Sequence, residues 1–460
     1  MHALRGNMSG DLRANSLSFF ESLVMGVAGS APGYTIAVTT AVLLATAGTL
    51  APGALVIFAI PMLGVAFAYR ALNRQNVSAG AGYQWTTAVL GKFLGFLSGW
   101  ALLIAALVFM VTGSIPAATA SLNFVAPALT GNVIVTALVA SFWFVVVALV
   151  LIMGIEITSK VQLVMTGIEL LILTFLLIAA FAHTAHAGAL NPFSWSWFGL
   201  GYTRQSFAAS ALVAVFFYWG WDVTANLSEE TVNPEANAGN GGFSSVIVTI
   251  VYYLGFTIAA LFLFSLKDVA HLTDNIVYNI AVASGLGRQG GLAASLAVIL
   301  SSIATLETTM LQFSRTLFAM GRDGAMPRLF GKVSPKTQSP TTAMYLLIGI
   351  GLVLLWGSSL MPSVSAIITA SVNAVAIQVA YYYGLAGLVA AWNFRGENGL
   401  RWLALALFPG LSGLVLIGLG IYAITTFNLI TQIVGVGGFA LGIFFFRPGR
   451  YRIGQTATAQ

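Results

Sequence analysis

The sequence predicts an all-α membrane protein with twelve transmembrane helices. Hydrophobic residues make up 58% of its 460 residues and charged residues only 7%. The surface of a water-soluble protein of this length does not carry such a balance. Apolar stretches long enough to cross a bilayer recur along the chain, and lysine and arginine concentrate in alternate loops between them.

Twelve apolar stretches approach or exceed the roughly twenty residues that a helix needs to cross the bilayer. In chain order they cover residues 17–46, 50–72, 92–121, 131–153, 158–182, 206–231, 242–265, 288–320, 341–358, 362–391, 401–425 and 429–446. We refer to them as spans 1 to 12. No hydrophilic stretch between them is long enough to fold as a soluble domain, so residues 1–460 are expected to form a single transmembrane domain.

The distribution of basic residues tests this count. With twelve spans and the N-terminus in the cytoplasm, all nineteen lysines and arginines except Arg204, Lys267 and Arg288 fall on the cytoplasmic side. Cytoplasmic loops are enriched in these residues, so both termini are predicted to be cytoplasmic and the chain to lie in the cell membrane. The net charge of +6 has the same origin and does not indicate nucleic-acid binding.

The chain has no cysteine, which excludes a disulfide-linked subunit and thiolate metal sites. Its four histidines lie in loops or tails without the spacing of metal ligands. We find no nucleotide-binding loop and no arrangement of a nucleophile with a base. The sequence therefore predicts no cofactor, no resident metal and no enzymatic activity.

Two spans contain residues that interrupt a helix at mid-length. The first break lies at 24–34 and includes Gly29, Pro32 and Gly33; the second lies at 216–222 and places Asp222 beside a glycine. Unwound backbone is tolerated at membrane depth only where protein or a water-filled cavity satisfies its polar groups. Paired breaks at corresponding points of two halves point to a transporter substrate site.

The breaks also indicate a repeat. Spans 1 to 5, about 17–182, and spans 6 to 10, about 206–391, each open with an interrupted helix. Because each half has an odd number of spans, the two halves would lie in opposite orientations, as in the inverted repeats of many secondary transporters. Spans 11 and 12, at 401–446, are predicted to lie outside this 5+5 core.

Several motifs carry a family resemblance. SAGAGY at 78–83, GKFLGFLSGW at 91–100, SEETVNP at 228–234 and SRTLFAMGRDGAMP at 314–327 occur in the expected order. Together they resemble the signatures of amino acid–polyamine–organocation (APC) superfamily transporters of the bacterial amino acid permease type. The resemblance implies a LeuT-like fold with broken helices 1 and 6, and transport of amino acids or amines.

The first break is a candidate carboxylate site, because N–H groups freed at the start of a half-helix favour an anion. The resemblance implies a Gly-Ser-Gly type segment here. This chain has a proline, which donates no N–H, so the donors are expected to shift toward the residues around it. The predicted binding residues are Gly29, Ser30, Ala31, Gly33 and Tyr34. The alternative is a kinked, glycine-packed helix that binds nothing.

At the second break, the resemblance gives Phe216 the role of an aromatic gate over the substrate. Backbone carbonyls near Phe216 and Trp219 would accept from an α-amino group, beside Gly220. Asp222 would be buried and could carry a proton or receive an additional positive charge. The alternative is an acid that hydrogen-bonds to a neighbouring helix.

Glu169 lies at the centre of span 5, where several members of the resembled family have a lysine in place of a sodium ion. Protonated, Glu169 can carry the coupling proton. Ionised, it can help to hold a cation together with Ser301, Ser302 or Thr305 on span 8, since hard oxygen ligands suit such ions. A purely structural role is the alternative.

Thr305 and Thr309 share a face of span 8, which the resemblance places toward the substrate, whereas Glu307 points roughly to the opposite side. Glu307 is therefore expected to serve inter-helix packing. Near the cytoplasmic end of span 6, Glu229, Glu230 and Glu235 are expected to form salt bridges and not to contact substrate. Their predicted partners are Arg315 and Arg322, and such pairs would brace an inner gate.

The leading hypothesis is secondary active transport of amino acids, with proton-coupled symport favoured over exchange. Its partners would be a small-molecule substrate, a proton and the lipid bilayer. A polyamine or cationic amine carrier is the alternative within the class. From a different class, a substrate-sensing receptor would also be polytopic, but it would usually bring a signalling domain, and a channel would show a selectivity filter.

Overall fold

The computed structural model describes residues 11–269, 272, 275–426 and 429–447. Over these residues the regular structure is helical, apart from an isolated β-bridge between Leu17 and Thr231. This confirms the all-α class. The ends of both termini lie outside the described residues, so the structure does not bear on their predicted side of the membrane.

The first part of the described chain forms seven helices. They are α1 (Phe19–Ser30), α2 (Pro32–Ala47), α3 (Ala51–Gln75), α4 (Gly82–Leu90), α5 (Lys92–Val125), α6 (Val133–Ile152) and α7 (Ile155–Ala187). The predicted span 1 is thus divided into α1 and α2, as its break required.

Twelve further helices follow in the described residues. They are α8 (Arg204–Phe217), α9 (Val223–Asn226), α10 (Pro234–Leu263), α11 (Leu266–Val269), α12 (Ile276–Ala281), α13 (Gly287–Arg322), α14 (Thr341–Ser358), α15 (Val364–Asn393), α16 (Gly399–Trp402), α17 (Phe408–Thr426), α18 (Leu429–Gln432) and α19 (Gly438–Phe445). Short π-helical turns continue α12 into α13, α16 into α17 and α18 into α19.

Nine helical stretches in the described part of the chain are long and apolar enough to cross a membrane. Two of them, Phe19–Gln75 and Ile276–Arg322, join several of the helices above, and two shorter apolar helices, Arg204–Phe217 and Ile433–Phe445, accompany the nine. Each of the twelve predicted spans coincides with helical residues. The chain is therefore an integral membrane protein.

The outer surface of the bundle agrees with a lipid environment. Leu149 on α6 is 60% exposed, Leu171 on α7 is 73% exposed and Val353 on α14 is 71% exposed. Large apolar side chains at this density are not tolerated on a surface that faces water. These helices therefore present their apolar faces to the hydrocarbon of the bilayer.

The interior is arranged around α13. This helix packs against α5, α7, α1 and α2, while α15 packs against α5, α3 and α17. Helix α10 packs against α1 and α3 on a further side of the interior. The ends of α1, α2 and α8 that border the two breaks are therefore surrounded by other helices and not by lipid.

Two predicted boundaries need correction. Span 5 was expected over 158–182, but α7 runs from Ile155 to Ala187. Span 7 was expected to begin at 242, but α10 already begins at Pro234, because Asn233 adopts the left-handed conformation with φ of 46° and proline is well suited to the first helical position. Polar residues at the start of α10 hid this helical turn from an analysis of hydrophobicity.

Candidate substrate and coupling site

The first break is a single residue. Ala31 adopts φ 47° and ψ 71° between α1 and α2, and Pro32 begins α2 without an N–H to satisfy. The Ala31 N–H donates to the Val27 carbonyl over 2.9 Å, and the Thr35 N–H donates to the Ala31 carbonyl over 2.8 Å. The break is thus narrower than the run of glycines indicated, and the Ala31 N–H is not free for a ligand.

The two breaks touch each other through glycines. A methyl group added at Gly29 would collide with the carbonyl oxygen of Gly220, and one added at Gly220 would collide with the carbonyl of Gly29. Gly220 also has φ of 104°, which side-chain-bearing residues rarely adopt. The structure therefore brings together two predicted site residues that are 191 positions apart in the chain (220 − 29).

Glu169 reaches the first break from α7. Its Oε1 accepts from the Gly33 N–H over 2.9 Å, and the side chain is fully buried. The carboxylate thus lies at the start of α2, where the helix dipole favours a negative charge. Its second oxygen, Oε2, is buried without a hydrogen bond, and the Ser301 hydroxyl lies close to the same carboxylate. Ser302 is buried on the same helix as Ser301.

The carbonyl groups that end α1 are satisfied by hydroxyl groups. Thr305 Oγ1 donates to the Gly29 carbonyl over 3.0 Å. The Ser30 carbonyl accepts from Thr35 Oγ1 over 2.9 Å and from the Tyr253 hydroxyl over 2.6 Å. Thr305 therefore contacts the first break, while Tyr253 of α10 is a contact that the sequence did not indicate. Thr309 lies buried one turn further along α13.

At the second break, Asp222 is fully buried and accepts three hydrogen bonds. The Tyr383 hydroxyl donates to Oδ1 over 2.8 Å, while the Tyr382 hydroxyl and Gln312 Nε2 donate to Oδ2 over 3.1 and 2.7 Å. Helices α13 and α15 thus hold the acid. A set of partners that all donate is suited to a carboxylate group.

Trp219 is connected to Asp222 through one tyrosine. Its indole Nε1 donates to the Tyr382 hydroxyl over 2.6 Å, and this hydroxyl donates onward to Asp222. The sequence did not indicate Tyr382, Tyr383 or Gln312 as partners of Asp222. A run of three tyrosines at 381–383 in span 10 was the available signal.

Aromatic rings surround the space beside both breaks. Tyr34 lies 5.8 Å from Phe109 and 6.4 Å from Phe216 between ring centroids, and Trp219 lies 5.1 Å from Phe109 and 6.4 Å from Phe216. Three of these four residues were predicted from the sequence, and Phe109 of α5 was not. The Phe216 carbonyl accepts from the Trp219 N–H over 3.3 Å, so an amino group would share this acceptor.

A cavity of about 370 Å³ opens at one end of the bundle. It is bordered by Val38 and Val42 of α2, by Thr119 and Asn123 of α5, and by the start of α15. Val38 lies one helical turn after Tyr34. The cavity lies at the end that the distribution of basic residues assigns to the outside.

Two salt bridges close the opposite end, as predicted for Glu229 and Glu230. Glu235 is exposed in the first turn of α10 and forms no salt bridge with a described residue, so the prediction is wrong for this acid. Arg315 donates to both carboxylate oxygens of Glu230 over 2.9 and 2.8 Å, with both side chains fully buried. Arg322 binds Glu229 in the same manner over 2.9 and 2.8 Å, at the surface. Glu229 also accepts from the Ala79 N–H over 2.8 Å, which ties the loop before α4 to this cluster.

The segment before α1 adds to this closure. The N–H groups of Ser16 and Leu17 donate to the Glu230 carbonyl over 2.8 and 3.0 Å, and the Val232 N–H donates to the Leu17 carbonyl over 2.7 Å. Nearby, burial raises the pKa of the Asp323 carboxyl group, and the hydrogen bond from Gln84 opposes that shift. Three separate parts of the chain are thus joined at this end.

Comparisons with known proteins agree with this architecture. A family profile described as "Amino acid permease" matches residues 17–447. A methylthioribose transporter of Bacillus subtilis (strain 168) is 28% identical over 346 residues, which cover 71% of each chain. The branched-chain amino acid permease BcaP of the same organism is 24% identical over 72% of each chain. The vacuolar cationic amino acid transporter 4 of Arabidopsis thaliana is 26% identical over 73% of this chain and 57% of its own length.

Proposed function

Because the chain belongs to the amino acid permease family, we propose that it performs secondary active transport of amino acids or related amines across the cytoplasmic membrane. In this proposal twelve transmembrane helices cross the membrane, and the core is a 5+5 inverted repeat of LeuT-like design. Helices α1 with α2, and α8 with α9, are the broken first and sixth helices. Both termini lie in the cytoplasm.

The contact between the two breaks is the observation that carries this proposal. Gly29 and Gly220 lie so close that neither position accepts a side chain. Aromatic rings of α2, α5 and α8 lie beside both breaks, and the buried carboxyl groups of Glu169 and Asp222 lie at the first and second break. Unwound backbone at membrane depth belongs to such ligand-binding regions.

Alternating access then requires the two ends of the bundle to open in turn. In this structure a cavity opens at the end of the bundle formed by α2, α5 and α15, while the pairs Arg315–Glu230 and Arg322–Glu229 close the other end. We assign this arrangement to a state in which the inner gate is closed. Opening inward would separate 228–232 from the end of α13 and break both salt bridges.

Proton coupling is assigned to Glu169. This acid touches the N–H of Gly33 with one oxygen and leaves the other without a hydrogen bond, so the loss or gain of a proton changes its interaction with the first break directly. Asp222, held by three donors, supplies a fixed negative charge at the second break. A sodium ion at the same position is the less favoured alternative.

Purified protein in proteoliposomes tests the function. Uptake of a panel of radiolabelled amino acids and amines is measured with an imposed inward proton gradient, with an imposed sodium gradient, and with neither. We expect at least one compound to accumulate above its equilibrium level with the proton gradient. No uptake and no exchange of any compound would instead favour a substrate-sensing receptor.

A further inference from the structure

Most of the charged side chains that are buried in the described part of the chain are acidic. The buried charged side chains among the residues that the structure describes are Glu169, Asp222, Glu230, Glu307 and Arg315. Arg315 is the single basic member of that set, and both oxygens of Glu230 already engage it. The two breaks therefore hold two buried carboxyl groups and no buried cationic side chain to compensate for a further anion.

The start of α2 is the position where a substrate carboxylate is expected, because a helix N-terminus favours an anion. Its donors are largely engaged. The Ala31 N–H donates to Val27, Pro32 has no N–H, and the Gly33 N–H donates to Glu169 over 2.9 Å. The chain thus places its own carboxylate at this anion position and leaves the Tyr34 N–H as the remaining donor of the turn.

A substrate carboxylate at the same place would have to displace Glu169 or lie beside it. Displacement would break the hydrogen bond from Gly33 to the buried Glu169 side chain, and coexistence with ionised Glu169 would place like charges together in a region that water does not screen. An ammonium group at this position would be favoured by the charges that disfavour a carboxylate. It is attracted by Asp222, and by Glu169 when that acid has released its proton, and the ring faces of Tyr34 and Phe216 also favour a cation.

We propose that the preferred substrate is an organic amine without a carboxylate, such as the decarboxylated counterpart of an amino acid. This inference rests on the proposed transport function and narrows its substrate class. The ammonium group is attracted toward the two carboxylates, and the apolar remainder of the molecule packs against the rings of Tyr34, Phe109, Phe216 and Trp219.

Matched pairs of compounds test this preference. Binding to the purified protein is measured by intrinsic tryptophan fluorescence and by thermal stabilisation, for leucine against 3-methylbutylamine, phenylalanine against 2-phenylethylamine, lysine against cadaverine and arginine against agmatine. In at least one pair we expect the amine to bind at least about tenfold more tightly, or about 1.4 kcal/mol. If the amino acid binds as tightly as its amine in every pair, or if no amine binds, the inference is wrong.

A substitution at Glu169 tests whether its negative charge causes the preference for amines. Glu169→Gln keeps an oxygen that accepts from Gly33 but removes the charge, so the ratio of amine to amino acid affinity is expected to fall about tenfold, or about 1.4 kcal/mol. Glu307→Gln is the matched control, because it removes an equally buried acid of α13 that makes no hydrogen bond to either break; its ratio should match that of the unmodified protein. An unchanged ratio in Glu169→Gln would contradict the inference.

The outcomes separate this inference from the transport function. Counterflow is measured in proteoliposomes with radiolabelled forms of the compound that binds most tightly. An amine that binds but is never carried would reject transport and retain the substrate class. An amino acid that is carried, while its amine neither binds nor is carried, would reject the substrate class and retain transport.

Discussion

The backbone N–H of Gly33 donates to Glu169 Oε1 over 2.9 Å, across 136 positions of the chain. This bond joins the start of α2 to the centre of α7. A change in the charge of Glu169 therefore acts on the first break without an intermediary. In the proposed mechanism, the state of this bond determines whether the half-helices of the first break are held against α7.

The contact between the breaks makes Gly29 sensitive to the smallest side chain. Gly29→Ala is expected to abolish substrate binding and to lower the melting temperature of the purified protein, since its methyl group meets the Gly220 carbonyl, which is backbone and cannot rotate away. Gly167→Ala is the control. A methyl group there meets no atom within 4 Å, and replacing a helical glycine by alanine stabilises by roughly 0.5–1 kcal/mol. Normal binding by Gly29→Ala would remove this contact from the site.

The two salt bridges at the closed end differ in burial, so breaking them should lower the free energy of unfolding by different amounts. Arg315→Gln leaves the buried Glu230 without its cation and is expected to lower stability by roughly 3–5 kcal/mol. Arg322→Gln disrupts a surface pair and should cost at most about 1 kcal/mol. Thermal unfolding in detergent compares them. Equal losses of stability in the two variants would contradict the difference in burial.

The salt bridge between Arg322 and Glu229 offers a test of the inner gate. Arg322→Gln should preserve folding yet raise the accessibility of a cysteine introduced at Thr316, which lies behind the cluster and accepts from the Asn226 side chain. A thiol reagent on inside-out vesicles measures its labelling rate, with the single variant at Thr316 as the reference. A labelling rate that does not change would separate these salt bridges from gating.

Topology can be tested because the chain has no native cysteine. Single cysteines at Ser334, between α13 and α14, and at Ser194, between α7 and α8, are exposed to an impermeant thiol reagent on intact cells. We expect labelling at Ser194 and none at Ser334. The reverse pattern would invert the predicted orientation of the whole bundle.

The sequence predicted the helices well, because hydrophobicity over some twenty residues records the thickness of the bilayer directly. It also located both breaks, through Gly29, Pro32 and Gly33 in the first and Gly220 and Asp222 in the second, since clustered glycine and proline interrupt a helix and buried acids are rare in spans.

What the sequence did not indicate are contacts between distant helices. Tyr382, Tyr383 and Gln312 hold Asp222, but tyrosine and glutamine are ordinary residues in a helix, and their role depends on which faces of α13 and α15 meet. The hydrogen bond from Gly33 to Glu169 likewise depends on which faces of two distant helices meet, here α2 and α7. The width of the first break was also overestimated, because Gly29 and Gly33 serve close packing and leave the backbone helical.

Glu169 is the residue on which proton coupling depends, and one experiment tests it most directly. Uptake of the best radiolabelled substrate into proteoliposomes is measured at fixed internal pH, with and without an inward proton gradient, for the unmodified protein and for Glu169→Gln. We predict that the gradient accelerates uptake by the unmodified protein, whereas Glu169→Gln retains counterflow exchange but does not respond to the gradient. Uptake by the unmodified protein that follows a sodium gradient and ignores the proton gradient would contradict this account.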